Sequence, residues 1–150
     1  MKLSVQGLKF IQNQEGLRLS PYQDVAGNWT IGYGHLMTDE EISKWPPGSS
    51  ITEGTALLLL EADVEEAENE VNQLVHVPLS QSQFDALVDF VFNLGGGALE
   101  RSTLLEDLNE GRYNAAAAQI PLWDHAGGRV VKDLELRRFA EQRMFLQESA

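Results

Sequence analysis

Between the break Pro46-Pro47-Gly48-Ser49-Ser50 and Pro78, the chain carries one long stretch of helical periodicity without a proline. Thr52 is placed to cap it, and Leu57, Leu60, Val64, Val71 and Leu74 fall on one face, opposite a strongly acidic one. Such a helix, from about Thr52 to Val75, reads as a connector. It parts an N-terminal region that holds the β-signals from a C-terminal region that reads as helical.

In the N-terminal region, Ser4 can cap a first helix in which Leu8, Ile11 and Glu15 share a face and Gly16 is a stop. Tyr22 to His35 follows, with Gly27-Asn28 as a turn candidate and period-two alternation through Trp29-Thr30-Ile31-Gly32-Tyr33-Gly34-His35. This segment predicts a small β-hairpin or meander, the only β-structure expected.

Beyond the connector, Ser80 and Gln83 match a capping box. Phe84, Leu87, Val88, Val91 and Leu94 continue at helical spacing to Gly95-Gly96-Gly97, which predicts the central core helix. Shorter helices are expected at Thr103 to Asn109, ended by Gly111, and at Tyr113 to Ile120, ended by Pro121. A last helix is expected from about Arg129 to Gln147. The predicted class is α+β, mainly α. A small lobe of about residues 12–60 is joined to a helical lobe of about 76–150, which also takes the N-terminal helix. A ligand cleft is expected between the two lobes.

Charge narrows the partners. The 150 residues hold 11 Lys+Arg against 23 Asp+Glu, a formal charge of −12, and no Lys or Arg occurs between Lys44 and Arg101. A nucleic-acid partner is therefore not expected. Arg129, Lys132, Arg137, Arg138 and Arg143 form the one locally basic segment, read either as an anion-attracting surface or as a solvated helix face. Gln6 and Lys9 interrupt any secretory signal, and the longest aliphatic run, Ala56 to Leu60, is far short of the roughly 18 to 20 residues a membrane span needs. No signal peptide or membrane anchor is expected. The absence of Cys leaves the redox compartment open.

Glu15, Asp24 and Thr30, spaced Glu-x8-Asp-x5-Thr, are the leading chemical candidates. A half-buried carboxyl at a helix end beside a hairpin bearing a second, solvated carboxylate suits glycoside hydrolysis. One group protonates the leaving oxygen; the other activates water or stabilises positive charge. His35 reads as catalytic base, metal ligand or, preferred, a support tied to an acidic side chain. No histidine pair has metal-ligand spacing, so neither metal nor cofactor is expected.

Glu15-Gly16-Leu17-Arg18-Leu19 and Trp29-Thr30-Ile31-Gly32-Tyr33-Gly34-His35 resemble the phage-type lysozymes, the endolysins of glycoside hydrolase family 24. The resemblance extends through Gln83-Phe84-Asp85-Ala86-Leu87, Phe92-Asn93-Leu94-Gly95, Ser102-Thr103-Leu104-Leu105, Trp123-Asp124-His125-Ala126-Gly127-Gly128 and Arg137-Arg138-Phe139-Ala140-Glu141, nearly the whole chain. It implies a lysozyme-like fold and hydrolysis of the β-1,4 bond between N-acetylmuramic acid and N-acetylglucosamine in peptidoglycan. Glu15 would be the general acid, and Asp24 with Thr30 would activate or position water. Arg137 or Arg138 would pair with Glu15, and Leu36, Phe92 and Asn93 resemble family positions that line the cleft; Gly32 and Gly34, read on the strand face of Thr30, are expected to leave room for a sugar ring. The resemblance further implies a monomer held in the host cytoplasm until a separate holin-type protein permeabilises the membrane. A lytic transglycosylase and an inactive wall-binding or virion-associated module are the competing readings.

Overall fold

The computed structural model describes residues 1–147. The chain divides into two compact units, Lys9–Val64 and Met1–Leu8 with Glu65 onward. Helices α1 (Val5–Glu15) and α3 (Glu53–Leu74) each run from one unit into the other.

In the unit of residues 9–64, strands β1 (Arg18–Gln23), β2 (Trp29–Gly32) and β3 (His35–Leu36) form an antiparallel meander in the order β1-β2-β3. The alternation read through Trp29 to His35 is not one strand. It breaks at Tyr33-Gly34, where the chain turns back so that Ile31 pairs with His35. Gly32 and Gly34 take φ of +68° and +69°, a conformation that costs a side-chain-bearing residue and suits glycine. Ile31, Met37, Ile51 and Ala56 are the buried centre, with Leu17, Leu19, Trp29, Trp45 and Leu59 packed around it. Helix α2 (Asp39–Lys44) was not expected, although Thr38 and Glu41 form a full capping box at its start.

The other unit is built on α4 (Gln81–Leu94), whose residues Phe84 to Val91 are all buried. A helix enclosed on all sides belongs at the centre of a core. It is capped by the Ser80/Gln83 box as the sequence indicates, and Gly95 follows it at φ +91°. The glycine run does not stay irregular, since α5 (Gly96–Glu100) begins within it. Helices α6 (Thr103–Asn109) and α7 (Tyr113–Gln119) pack together, and a 3-10 turn over Ile120–Leu122 takes in Pro121. A second β-ladder, β4 (His125–Ala126) with β5 (Arg129–Val130), corrects the expectation that β-structure is confined to the N-terminal region. Gly127 and Gly128, at φ +60° and +77°, make its turn, and Arg129 therefore lies in a strand rather than in the last helix. That helix, α8 (Lys132–Phe145), packs on α4.

Candidate active site

Glu15 is the last residue of α1, and Gly16 at φ +71° ends the helix there with its N–H on the Gln12 carbonyl at 2.9 Å. The half-buried carboxylate lies against the Tyr33-Gly34 turn. A Cβ on Gly34 would collide with Glu15 Oε1 and stand 3.2 Å from Cδ. Glycine is thus required at position 34 both by its backbone angle and by the carboxylate beside it.

Asp24 follows β1 directly and folds the loop of residues 24–28 around itself. Its Oδ1 accepts the backbone N–H of Ala26 at 2.9 Å and of Asn28 at 2.8 Å, while its own N–H donates to the Asn28 carbonyl at 2.9 Å. Aspartate favours such turns because its short carboxylate reaches backbone donors a few residues on. The side chain is exposed.

Thr30, only 5% exposed, does not bond Asp24 directly. Its hydroxyl donates to the Asn28 carbonyl at 3.0 Å, so the main chain of Asn28 links the two residues. Tyr22, Thr30 and Leu36 are register partners across the three strands, which places their side chains in one row on one sheet face. Leu36 is 60% exposed, an apolar side chain open to solvent at the end of that row.

Tyr22 was not among the sequence candidates. Burial raises the pKa of its phenol; the Arg18 guanidinium opposes the shift, and the charges of Glu15 and Asp24 add to it. Tyr22 therefore lies within electrostatic reach of both carboxylates. The pairing of position 22 with position 30 could have flagged it, had the strand register been readable from sequence.

His35 is held from both sides, Nδ1 at 2.8 Å from Asp63 Oδ2 and Nε2 at 2.9 Å from Glu41 Oε1. The hydrogen bond to Asp63 raises its pKa, burial opposes it, and Glu41 adds to the rise, which brings it to about 9. The imidazolium thus ties the meander to α2 and α3. Burial would raise the Glu41 carboxyl, but the Thr38 backbone N–H and His35 outweigh it and hold the group below its ordinary range. Among the described residues no group of three or more His, Asp or Glu is placed to hold a metal ion.

The remaining candidates belong to the other unit. Arg137 makes a two-pronged contact with Asp89, Nε to Oδ2 at 3.0 Å and Nη2 to Oδ1 at 2.7 Å. Arg138, fully enclosed, donates from Nη2 to Asn93 Oδ1 at 2.8 Å and to Glu141 Oε2 at 2.7 Å. Burial and the neighbouring Asp89 hold the Glu141 carboxyl well above its usual range. Asp89 is shifted down, since its bonds to Glu141 and Arg137 outweigh burial. Phe92 is half-buried on α4, one residue before Asn93. No helix among the described residues is long and apolar enough to cross a membrane.

The phage lysozyme family model matches residues 12–141. The endolysin of Bacillus phage PZA is 42% identical over 147 residues, covering 97% of this chain and 55% of that protein. The chain thus spans about half the length of its Bacillus phage relatives. The endolysin of Salmonella phage P22 is 38% identical over 149 residues, covering 97% of this chain and 99% of the relative. Among solved structures, the muramidase domain of SpmX from Asticaccaulis excentricus superposes with a TM-score of 0.86 at 38% identity, covering 98% of this chain and 99% of that one.

Proposed function

The chain belongs to the phage lysozyme family, and from that membership we propose that it is an endolysin that hydrolyses the β-1,4 bond between N-acetylmuramic acid and N-acetylglucosamine in bacterial peptidoglycan. The observation that carries the reading is the setting of the two carboxylates, Glu15 packed against a glycine turn and Asp24 exposed in a loop tied to Thr30. Two carboxyls in unlike surroundings are what acid-assisted glycoside hydrolysis requires.

In the proposed reaction Glu15 gives its proton to the glycosidic oxygen as the bond to the anomeric carbon breaks. Water attacks that carbon and passes a proton to Asp24. Thr30 donates its hydroxyl hydrogen to Asn28, so towards a water molecule it offers lone pairs. A water held by Asp24 and Thr30 would donate a hydrogen to each and keep its own lone pair for the sugar. His35 has both ring nitrogens engaged by carboxylates and acts as support. The resemblance further assigns Arg137 or Arg138 as the partner that orients Glu15, and Phe92 and Asn93 as cleft residues.

Digestion of purified peptidoglycan with the wild-type chain and with Glu15→Gln, followed by mass spectrometry of the released muropeptides, tests the proposal. Wild-type products ending in reducing N-acetylmuramic acid, absent with the variant, are expected. Anhydro ends would make the enzyme a lytic transglycosylase, and no release by either protein would leave a wall-binding module. Host-cell lysis that requires co-expression of a holin-type permeabilising protein is the expected cellular counterpart.

A further inference from the structure

Arg18 opens β1 and pairs with Gly32, yet four residues later Tyr22 pairs with Thr30. Leu19, Ser20 and Pro21 therefore face Ile31 alone, and the surplus bows the strand outward. Across this bulge the Arg18 guanidinium carbon lies 4.1 Å from the centre of the Tyr22 ring.

Two features bear on what this stacked cation can bind. In a chain with 23 acidic residues against 11 basic ones, Arg18 is exposed and makes no salt bridge among the described residues. The ring beneath it belongs to the sheet row of Thr30 and feels the charges of Glu15 and Asp24. A guanidinium whose face is covered by an aromatic ring keeps its N–H edge for a planar anion, and the stacking fixes its orientation beforehand.

We propose that Arg18, positioned by the bulge and the Tyr22 ring, binds a carboxylate carried on the 3-O-substituent of muramic acid and so selects muramyl-containing strands over neutral ones. The inference rests on the muramidase reading above. The carboxylate has two sources in peptidoglycan: the acidic residues of the stem peptide, or the lactyl group itself once the peptide has been removed. Either satisfies the same two-pronged contact with the guanidinium.

The test measures kcat and KM of the full chain on three soluble glycan strands: peptide-bearing, stripped of peptide with the lactyl carboxylate free, and stripped with that carboxylate converted to its methylamide. For Arg18→Gln a rise in KM of about tenfold is expected on the carboxylate-bearing strands, in line with one lost charge-assisted contact. The methylamide strand should show a much smaller change. The peptide-bearing or the lactyl arm, whichever responds, identifies the source. Arg18→Lys, which keeps the charge but not the planar fork, should recover part of the loss. Lys44→Gln, which removes another exposed cation of the same unit, should leave the discrimination as in the wild type. An equal loss on all three strands, or no change on any, overturns the assignment. A wild-type chain that cleaves none of them overturns the muramidase reading as well, and the two failures are thereby told apart.

Discussion

At the scale of single residues, the site is shaped by what glycine permits. Gly34 combines a left-handed backbone angle with a carboxylate where a side chain would begin. Gly34→Ala is therefore expected to displace Glu15 and to lower hydrolysis more than tenfold. The strained backbone should cost about 1–2 kcal/mol, or a fall of about 2–8 °C in melting temperature. Activity and thermal unfolding measured on the same preparation check both parts, and a variant with full activity would show that the contact with Glu15 is unimportant. Much of this residue-level detail was legible. The spacing of Glu15, Asp24 and Thr30 could be read directly, whereas the turn expected at Gly27-Asn28 lies earlier, over Asp24 to Gly27. The main-chain bridge through Asn28 was not legible, because it depends on which carbonyl the Thr30 hydroxyl reaches within a loop of defined shape.

At the scale of elements, Glu41 does two jobs: it completes the capping box of α2 and it holds His35. The His35 pKa of about 9 lies above the unfolded value of about 6.5. The stabilisation is thus complete below pH 6.5 and is lost as pH rises through 9. The shift corresponds to at most about 3 kcal/mol. Because the Glu41 and Asp63 side chains are 21% and 28% exposed, about 1–2 kcal/mol is the expected net value. The difference in melting temperature between wild type and His35→Asn should accordingly shrink between pH 6.5 and 9. Glu41→Gln keeps a capping residue but loses the charge, so it should lower the His35 pKa seen by NMR titration while α2 stays folded. An unmoved His35 titration would place the whole effect on Asp63.

The elements differ in how far the sequence disclosed them. Long periodic stretches such as α3 and α4 were readable because burial imposes their pattern. Helices α2 and α5 and the ladder of β4 with β5 were not expected, since each is only a few residues long. Helix α8 shows a different obstacle. Its buried face carries Arg137, which pairs with Asp89 on α4, and Arg138, which pairs with Glu141, while Leu136 and Phe139 are exposed. Apolar periodicity is a poor guide to a helix buried through its ion pairs.

At the scale of the whole molecule, the proposed substrate is a largely anionic wall, and a formal charge of −12 would oppose the encounter with it. Activity is expected to be low at very low ionic strength and to rise towards about 0.1 M salt, where the screening length falls to about 10 Å. A turbidity assay across a salt series reads this, and a monotonic loss on adding salt would show that attraction rather than repulsion governs the encounter.

The central claim is that Glu15, Asp24 and Thr30 carry out hydrolysis, with water as the group that ends on the sugar. Digestion of peptidoglycan in ¹⁸O-labelled water, with prompt mass analysis of the products, tests it most directly. One heavy oxygen at the reducing-end N-acetylmuramic acid is predicted, with none released by a folded Asp24→Ala variant. Unlabelled anhydro-muramyl ends, or an undiminished yield from that variant, would contradict the account.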